Sequence, residues 1–297
     1  MRYNMTKQKI RRILKTTFQG IIVLLISVVL ALLLRIFLFA SFKVPSQSMF
    51  PAIEAGENIL VNKLIPGPRV YKNFGFRDGK KAETRRFKGV RAIKRNDVLV
   101  FNFPYTEGLN KIEMDLSVNY VKRCVAIPGD TFYIENGIYK VKNVSETLGC
   151  FAHQQQVSRT QSFYFKTGIY QCFPHDTIHY NWNIKDFGPL YIPKKGDQLK
   201  IDTINYRLYK NLIEYETDKK IQLAQGQIYL GDQLLDTYSF RMNYYFMAGD
   251  QVLDSKDSRY WGLLPEDHII GKAWLIWKSQ DPHTKKFRWK RFFKFVK

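Results

Sequence analysis

From Phe18 to Ala40 the chain runs for 23 residues with only Gln19, Gly20, Ser27 and Arg35 breaking the apolar pattern. At 1.5 Å of rise per residue such a helix is roughly 34 Å long, enough to cross a bilayer core. A cleavable signal has a shorter apolar stretch, and cleavage after Ala40 or Ser41 would put Leu38 or Phe39 where a small side chain is required. Residues 18–41 therefore read as an uncleaved anchor, with Arg35 snorkelling to the headgroups. No later run is long enough to span; "HIIGKAWLIW" is short and carries Lys272.

Past the anchor the period shifts toward alternation. Residues 42–63 predict an extended segment, a turn at "PAIEAGEN" and a strand "ILVNK". Residues 64–95 are basic, glycine-containing and without apolar period, which predicts a long exposed insertion. "DVLVFNF" (97–103) and "VNYVKRCVAIPGD" (118–130) predict strands, the second ending in a Pro-Gly-Asp turn. "TFYIENGIYKVKN" predicts a hairpin about Asn136-Gly137, and "GQIYLGDQLLDTYSF" another about Gly231-Asp232. Between them, residues 143–223 show no sustained helical period. They predict an inserted β subdomain bounded by 131–225, set into a β core made of 42–130 and 226–297.

Composition supports strands: 45% of the 297 residues are hydrophobic and 15% aromatic, weighted toward Tyr, Phe, Val and Ile. The formal charge of +21 calls for a polyanionic neighbour, either nucleic acid or anionic lipid. Placement favours lipid. Arg2, Lys7, Lys9, Arg11, Arg12 and Lys15 precede the anchor with no acid among them, the mark of a cytoplasmic flank over 1–17, so 43–297 lies outside. The C-terminal "KKFRWKRFFKFVK" interleaves seven cations with five aromatics, suiting an interfacial lipid surface better than a DNA-reading helix; a final strand with one wet, charged face explains it equally. In an extracytoplasmic setting Cys150 and Cys172 can pair, closing a loop worth roughly 3 kcal/mol in the chain-entropy model and leaving Cys124 buried.

Ser46 and Ser48 in "VPSQSMFP" pose the chemical question, because a serine attacks a carbonyl only with a base beside it. His153, His175, His179, His268 and His283 sit in no triad motif, and neither Gly-x-Ser-x-Gly nor Ser-x-x-Lys occurs. His175 and His179 lack an acidic third ligand, so no metal site is expected. A lysine remains as base if burial lowers its pKa from about 10.4. Lys122 in "NYVKRCVAIPG" has apolar neighbours and shares a strand face with Tyr120, Cys124 and Ala126, while Arg123 points away. A lysine on a wet strand face fits the residues as well.

"PSQSMFP" (45–51), "GENILVNK" (56–63), "NDVLVFNFP" (96–104), "YVKRCVAIPGD" (120–130) and "GDQVLDSKDSRYWGLLPEDHIIGKA" (249–273), in this order behind an anchor, resemble bacterial type I signal peptidases. The resemblance spans roughly 42–130 and 226–297 and implies a mainly β fold: a coiled antiparallel catalytic sheet of the signal peptidase or LexA-like type. It implies Ser48 as nucleophile, Lys122 as general base, Ser46 with the Ser48 N–H as oxyanion hole, and Ser255 as the hydroxyl orienting the lysine. Asp250, Asp257, Arg259 and Arg123 take support roles. Lys256, one residue from Ser255, faces the other way. Met49, Ile53 and Tyr120 would line the pocket for the residue before the cut, and Phe42, Val44 and Val121 the pocket two residues earlier, giving Ala-x-Ala-like specificity.

The implied partners are preprotein signal peptides and an anionic bilayer surface, with no nucleic acid, metal or cofactor. The implied place is the bacterial cytoplasmic membrane, single-pass, amino terminus inside. The chain departs from the family where Gln251-Val252-Leu253 replaces a stretch that usually holds an arginine. Three alternatives stand beside this reading: a catalytically impaired paralogue, a LexA-like self-cleaving protease, which the anchor disfavours, and a non-catalytic basic protein of the membrane surface.

Overall fold

The structure, a computed structural model, describes residues 2–72, 83–106 and 108–297, without the side chains of 2–10 and Thr167. Part of the expected basic insertion, 73–82, lies outside the described residues. Helix α1 (Arg2–Phe37) carries the apolar run. Within its Arg11–Phe37 part, mean hydropathy reaches 2.9 over a window in which no residue is buried, and at its end Phe37 meets the Phe87 ring edge-on with centres 6.1 Å apart. A helix end leaves carbonyls without partners. Here Lys63 Nζ donates to the carbonyls of Arg35 (2.8 Å) and Ile36 (3.2 Å).

The helix stops short of the expected boundary at 41. Residues 39–41 belong instead to β1 (Phe39–Lys43), which pairs antiparallel with β2 (Glu57–Asn62), Phe39 opposite Asn62. Backbone ladder bonds thus begin two residues after the helix ends. Beyond β2 come the short ribbon β3 (Arg69–Tyr71) and β4 (Thr84–Arg86), then β5 (Val98–Phe103), β6 (Asp115–Ala126), β7 (Thr131–Glu135) and β8 (Ile138–Val141).

Asn136 (φ 46°) and Gly137 (φ 80°) make the predicted hairpin turn, both in the left-handed region that a two-residue connection needs. After it follow α2 (Phe151–Arg159), α3 (Thr167–Tyr170), β9 (Phe187–Tyr191), β10 (Gln198–Lys200) and α4 (Thr203–Thr217). Then come β11 (Ile221–Ala224), β12 (Gln227–Leu230), β13 (Gln233–Leu234) and β14 (Thr237–Ser239). The chain closes with β15 (Tyr244–Ala248), α5 (Ser258–Trp261), β16 (Leu264–Pro265), β17 (Ile269–Ser279) and β18 (Lys294–Phe295).

The principal sheet runs β1-β2-β17-β5-β6-β15-β16, with β18 against β17. Its two faces bury different cores, as strand alternation requires: on β5, Leu99 and Phe101 enter the larger cluster while Val98 and Val100 enter a smaller one with Val44, Met49, Ile53 and Ile59. The smaller core holds the segment that follows β1 in place.

The expected inserted β subdomain contains helices as well as strands, and it shares the larger core with the sheet. Phe132 of β7 stacks on Phe246 of β15 at 4.3 Å. Helix α4 forms because Asp202 caps the Ile204 and Asn205 amides, and because Leu208, Tyr209, Leu212, Ile213 and Tyr215 recur on one buried face. The C-terminal tract is drawn inward by two of its arginines. Arg288 binds Glu54 at 2.8 Å, and Arg291 forks onto the fully buried Glu57. The other cations of the tract do not share that burial, and Trp289 and Phe293 are exposed.

The expected Cys150–Cys172 bridge is absent: all three cysteines are free, with Cys124 and Cys172 buried. Cys172 points its thiol at the Tyr170 carbonyl, 3.8 Å away, while Cys150 sits at the start of α2. Unfolding in denaturant without reductant should therefore expose three alkylatable thiols by mass. A gain of two further labels after reduction would show that the pair forms.

Candidate active site

Ser48 sits in a tight turn between β1 and β2. The Phe50 amide donates to Gln47 O (2.8 Å) and the Ile53 amide to Met49 O (2.9 Å), and both Met49 and Ile53 are fully buried beneath it. From across the site the Gln251 amide grips the Ser48 carbonyl at 3.0 Å. Rigid mounting on a buried base fixes where the hydroxyl points.

It points at Lys122. Lys122 Nζ lies 2.5 Å from Ser48 Oγ, and the Ser46 hydroxyl is 3.3 Å from the same atom. Lys122 opposes Leu99 in the β5–β6 ladder, on the face that Tyr120 and Cys124 share, and its amine stands 5.5 Å from the Tyr120 ring centre. Only 4% of Lys122 and 7% of Ser48 remain exposed. Burial pushes the Lys122 ammonium down to about 8, helped by the charge of Arg259, while Asp257, Asp254 and Asp250 pull in the other direction. An amine in that range is substantially neutral at mildly alkaline pH and can accept the serine proton.

Two buried ion pairs flank the lysine. Arg123, on the opposite face of β6, forks onto Asp250 at 2.7 and 2.6 Å and also donates to the carbonyls of Asn96 and Lys297. Arg259 forks onto Asp257 (2.8 Å to each oxygen) and donates to Val252 O. Desolvation alone would raise Asp257, but the charge and hydrogen bonds of Arg259 hold it below the usual carboxylate value. Both acids are thus committed to arginines, and neither forms a direct ion pair with Lys122.

Ser255 donates to Asp257 Oδ2 at 2.7 Å, and the Gly249 amide donates to the same oxygen at 2.8 Å. A Cβ on Gly249 would fall 2.1 Å from the Ser255 hydroxyl and 2.6 Å from the Ser48 carbonyl oxygen, so only glycine fits between them. Ser255 therefore faces the Ser48 turn across Gly249 and donates its hydroxyl to Asp257; the hydrogen bond to Lys122 expected of it is not formed, the Lys122 amine meeting Ser48 instead. Lys256 is exposed, although the segment that carries it is a loop and not the strand that alternation assumed.

The residues expected to line the substrate pockets divide between the two cores, which parts Tyr120 from Met49 and Ile53, its expected pocket partners. Val44, Met49 and Ile53 lie in the smaller core with Phe42 and Val121 packed on it, while Tyr120 packs on the larger core and stacks with Phe103 at 4.6 Å. Strand β15 pairs with β6 only from Arg123 to Ala126. Ahead of Arg123, no strand among the described residues pairs with that edge of β6, which leaves it open beside Lys122.

Sequence reasoning gave no role in the site to Gly249, Gln251 or His153. The first two adjoin Asp250 inside a quoted block, so their nearness was available; nothing local to His153 signals it. Val252, where the family usually reads otherwise, is 1% exposed and joins the larger core. The departure has become packing. His175 and His179 are taken up elsewhere, by Tyr260 O (2.9 Å) and Asp176 (3.0 Å), and the described residues contain no cluster of three or more metal-ligating side chains.

The sequence pattern of the family described as signal peptidase, peptidase S26, matches residues 17–182 and 188–278. Among curated relatives, a signal peptidase I of Buchnera aphidicola subsp. Baizongia pistaciae is 26% identical over 279 residues, covering 93% of this chain and 81% of that protein. One from Haemophilus influenzae is 28% identical, covering 89% and 72%. One from Aquifex aeolicus is 24% identical, covering 87% and 83%.

A lysine forced below its unfolded pKa costs stability, because the unfolded chain binds the proton more tightly. With values of about 8 folded and about 10.4 unfolded, the cost at pH 7 is about 3 kcal/mol; it shrinks as pH rises from 8 to 10.4 and is gone above that. Lys122→Met should therefore raise the unfolding free energy at pH 7 by about that amount and by much less near pH 10. Denaturant titration at both pH values checks this; an equal or lower stability at pH 7 contradicts a desolvated lysine.

Proposed function

We propose, from the premise that this chain belongs to the signal peptidase family, peptidase S26, that Ser48 and Lys122 form the dyad with which it cuts. The chain is a membrane-anchored serine endopeptidase that removes signal peptides. The 2.5 Å contact between a buried lysine amine and a serine hydroxyl carries the assignment. It also weighs against an impaired paralogue, since nucleophile and base stand in reach.

In the cycle, neutral Lys122 takes the Ser48 proton as Oγ attacks the peptide carbonyl. The Ser48 N–H donates to no other described residue and, with the Ser46 hydroxyl on the exposed side, can receive the oxyanion. Protonated Lys122 then gives its proton to the leaving amine and afterwards activates the water that frees the acyl-enzyme. Ser255 and Asp257 hold the floor beneath, and Arg123–Asp250 and Arg259–Asp257 fix the loops on either side.

Substrate would enter extended, adding to the open edge of β6 opposite residues 42–48. Buried Val44, Met49 and Ile53 leave room in the pockets only for small side chains, which supports cleavage after Ala-x-Ala-like sequences. For topology, the basic residues in the first turns of α1, ahead of its apolar run, support an amino terminus in the cytoplasm and a catalytic sheet outside the bacterial inner membrane. Exposed Trp274, Trp277, Trp289, Phe293 and Phe295, interleaved with Lys290 and Lys294, support contact with an anionic bilayer surface.

Cleavage of a purified preprotein in detergent tests the dyad. Ser48→Ala and Lys122→Ala should each lose at least about a thousandfold in rate, and equal product from Ser48→Ala and wild type would remove Ser48 as nucleophile. Because the neutral amine is the active form, kcat/KM should climb with pH through about 8; a climb only near 10 or above would contradict a buried base. Ser46→Ala should cost roughly a hundredfold in kcat, the loss of one oxyanion donor, and full activity would exclude that role.

A further inference from the structure

Helix α2 of the inserted segment delivers one side chain to the catalytic loops. His153 Nδ1 lies 2.7 Å from the Asp250 carbonyl oxygen, and its ring stacks on Phe50 with centres 6.0 Å apart and planes 21° from parallel. A carbonyl only accepts, so Nδ1 carries the hydrogen and the tautomer is set.

Both contacts lead directly to the dyad. Phe50 is two residues after Ser48 in the same turn. Asp250 holds Arg123, the neighbour of Lys122 on β6, through both carboxylate oxygens, and the next amide along, that of Gln251, binds the Ser48 carbonyl. One imidazole thus touches the turn that carries the nucleophile and the loop that grips both that turn and the strand of the base.

The helix that presents it is firmly seated. Neighbouring Gln154 is buried, accepts from the Tyr139 amide at 2.9 Å and donates to Leu148 O at 2.5 Å, and Val157 enters the larger core one turn on. The loop that His153 secures is also the one where Val252 stands in place of a usual family residue and packs as an apolar side chain. Its polar anchorage comes from Arg123 at the Asp250 carboxylate, His153 at the Asp250 carbonyl and Arg259 at the Val252 carbonyl.

We propose that His153 is a positioning residue for the cleavage reaction, holding the Ser48 turn and the Asp250–Gln251 loop in register so that Ser48 Oγ stays within reach of Lys122. The proposal rests on the Ser48–Lys122 reading. It gives the inserted segment a positioning part in catalysis, since a reacting group displaced by a fraction of an ångström loses rate without losing substrate affinity.

The full-length chain in detergent, with a purified preprotein as substrate, supplies the test through kcat, KM and melting temperature for wild type, His153→Ala, His153→Gln and Ser48→Ala. His153→Ala should lose roughly tenfold in kcat with KM within about twofold. His153→Gln, whose amide can still donate to the Asp250 carbonyl, should regain most of that loss. Wild-type kcat in His153→Ala overturns the proposal. So does a kcat loss that follows the melting temperature and is not regained by glutamine, because that marks a bulk packing role. Cleavage persisting in Ser48→Ala would instead strike the dyad reading itself.

Discussion

The structure depends on keeping one amine out of water. Lys122 can accept a proton from Ser48 only while its surroundings disfavour the ammonium, and burial is the largest influence doing so. Every acid within range works against it. The fold resolves that conflict by giving each buried carboxylate nearby its own guanidinium: Asp250 to Arg123 and Asp257 to Arg259. An unpaired carboxylate at either place would draw Lys122 back toward the charged form, and its capacity to accept a proton would be lost without any change in its own position. Arg259 acts twice, satisfying Asp257 and adding its own repulsion to the lysine.

Buried ion pairs of this kind contribute little net stability, since desolvation of both charges offsets their attraction. Their value here is geometric. Arg123 and Lys122 are neighbours on β6 with side chains on opposite faces, so the Arg123–Asp250 fork fixes the strand from behind while the amine faces forward. Asp257 likewise collects Ser255, the Gly249 amide and Arg259 around one carboxylate. Gly249 then lets the Ser48 turn approach that assembly at a distance no side chain would permit. Stability given up at the lysine must come from elsewhere, and the two cores on the faces of β5 supply it.

How much of this was legible in the sequence depended on whether the information was local. Strands with clear alternation, the Asn136-Gly137 turn and the anchor could be read because each needs only its own neighbours. Lys122 could not be distinguished from a wet lysine by alternation, and only the ordered family blocks singled it out. Helix α4 was missed because its buried face is rich in tyrosine; Tyr209 and Tyr215 read as polar, which blurs a period that Leu208, Leu212 and Ile213 mark well. Whether Cys150 and Cys172 pair could not be read for a related reason: separation along the chain says nothing about distance in space, and both are free. His153 meets Asp250 across 97 residues, and no local pattern encodes such a contact.

The anchor and the sheet meet with almost no slack, and that bears on how the enzyme reaches its substrate. Leu38 is the one residue between the end of α1 and the start of β1, and Lys63, just past β2, binds the carbonyls of the last helical turn. From Lys43 to Ser48 is five residues, so the hydroxyl can lie no more than roughly 18 Å from the end of β1. A nucleophile on so short a connection cannot sweep a large volume. A signal peptide held in the same bilayer presents its cleavage site at a similarly limited height, and the two restrictions together replace free diffusion by a high effective concentration. Lys122 is sheltered by protein side chains, so what the anchor adds to the proposed dyad is proximity to its peptide bond.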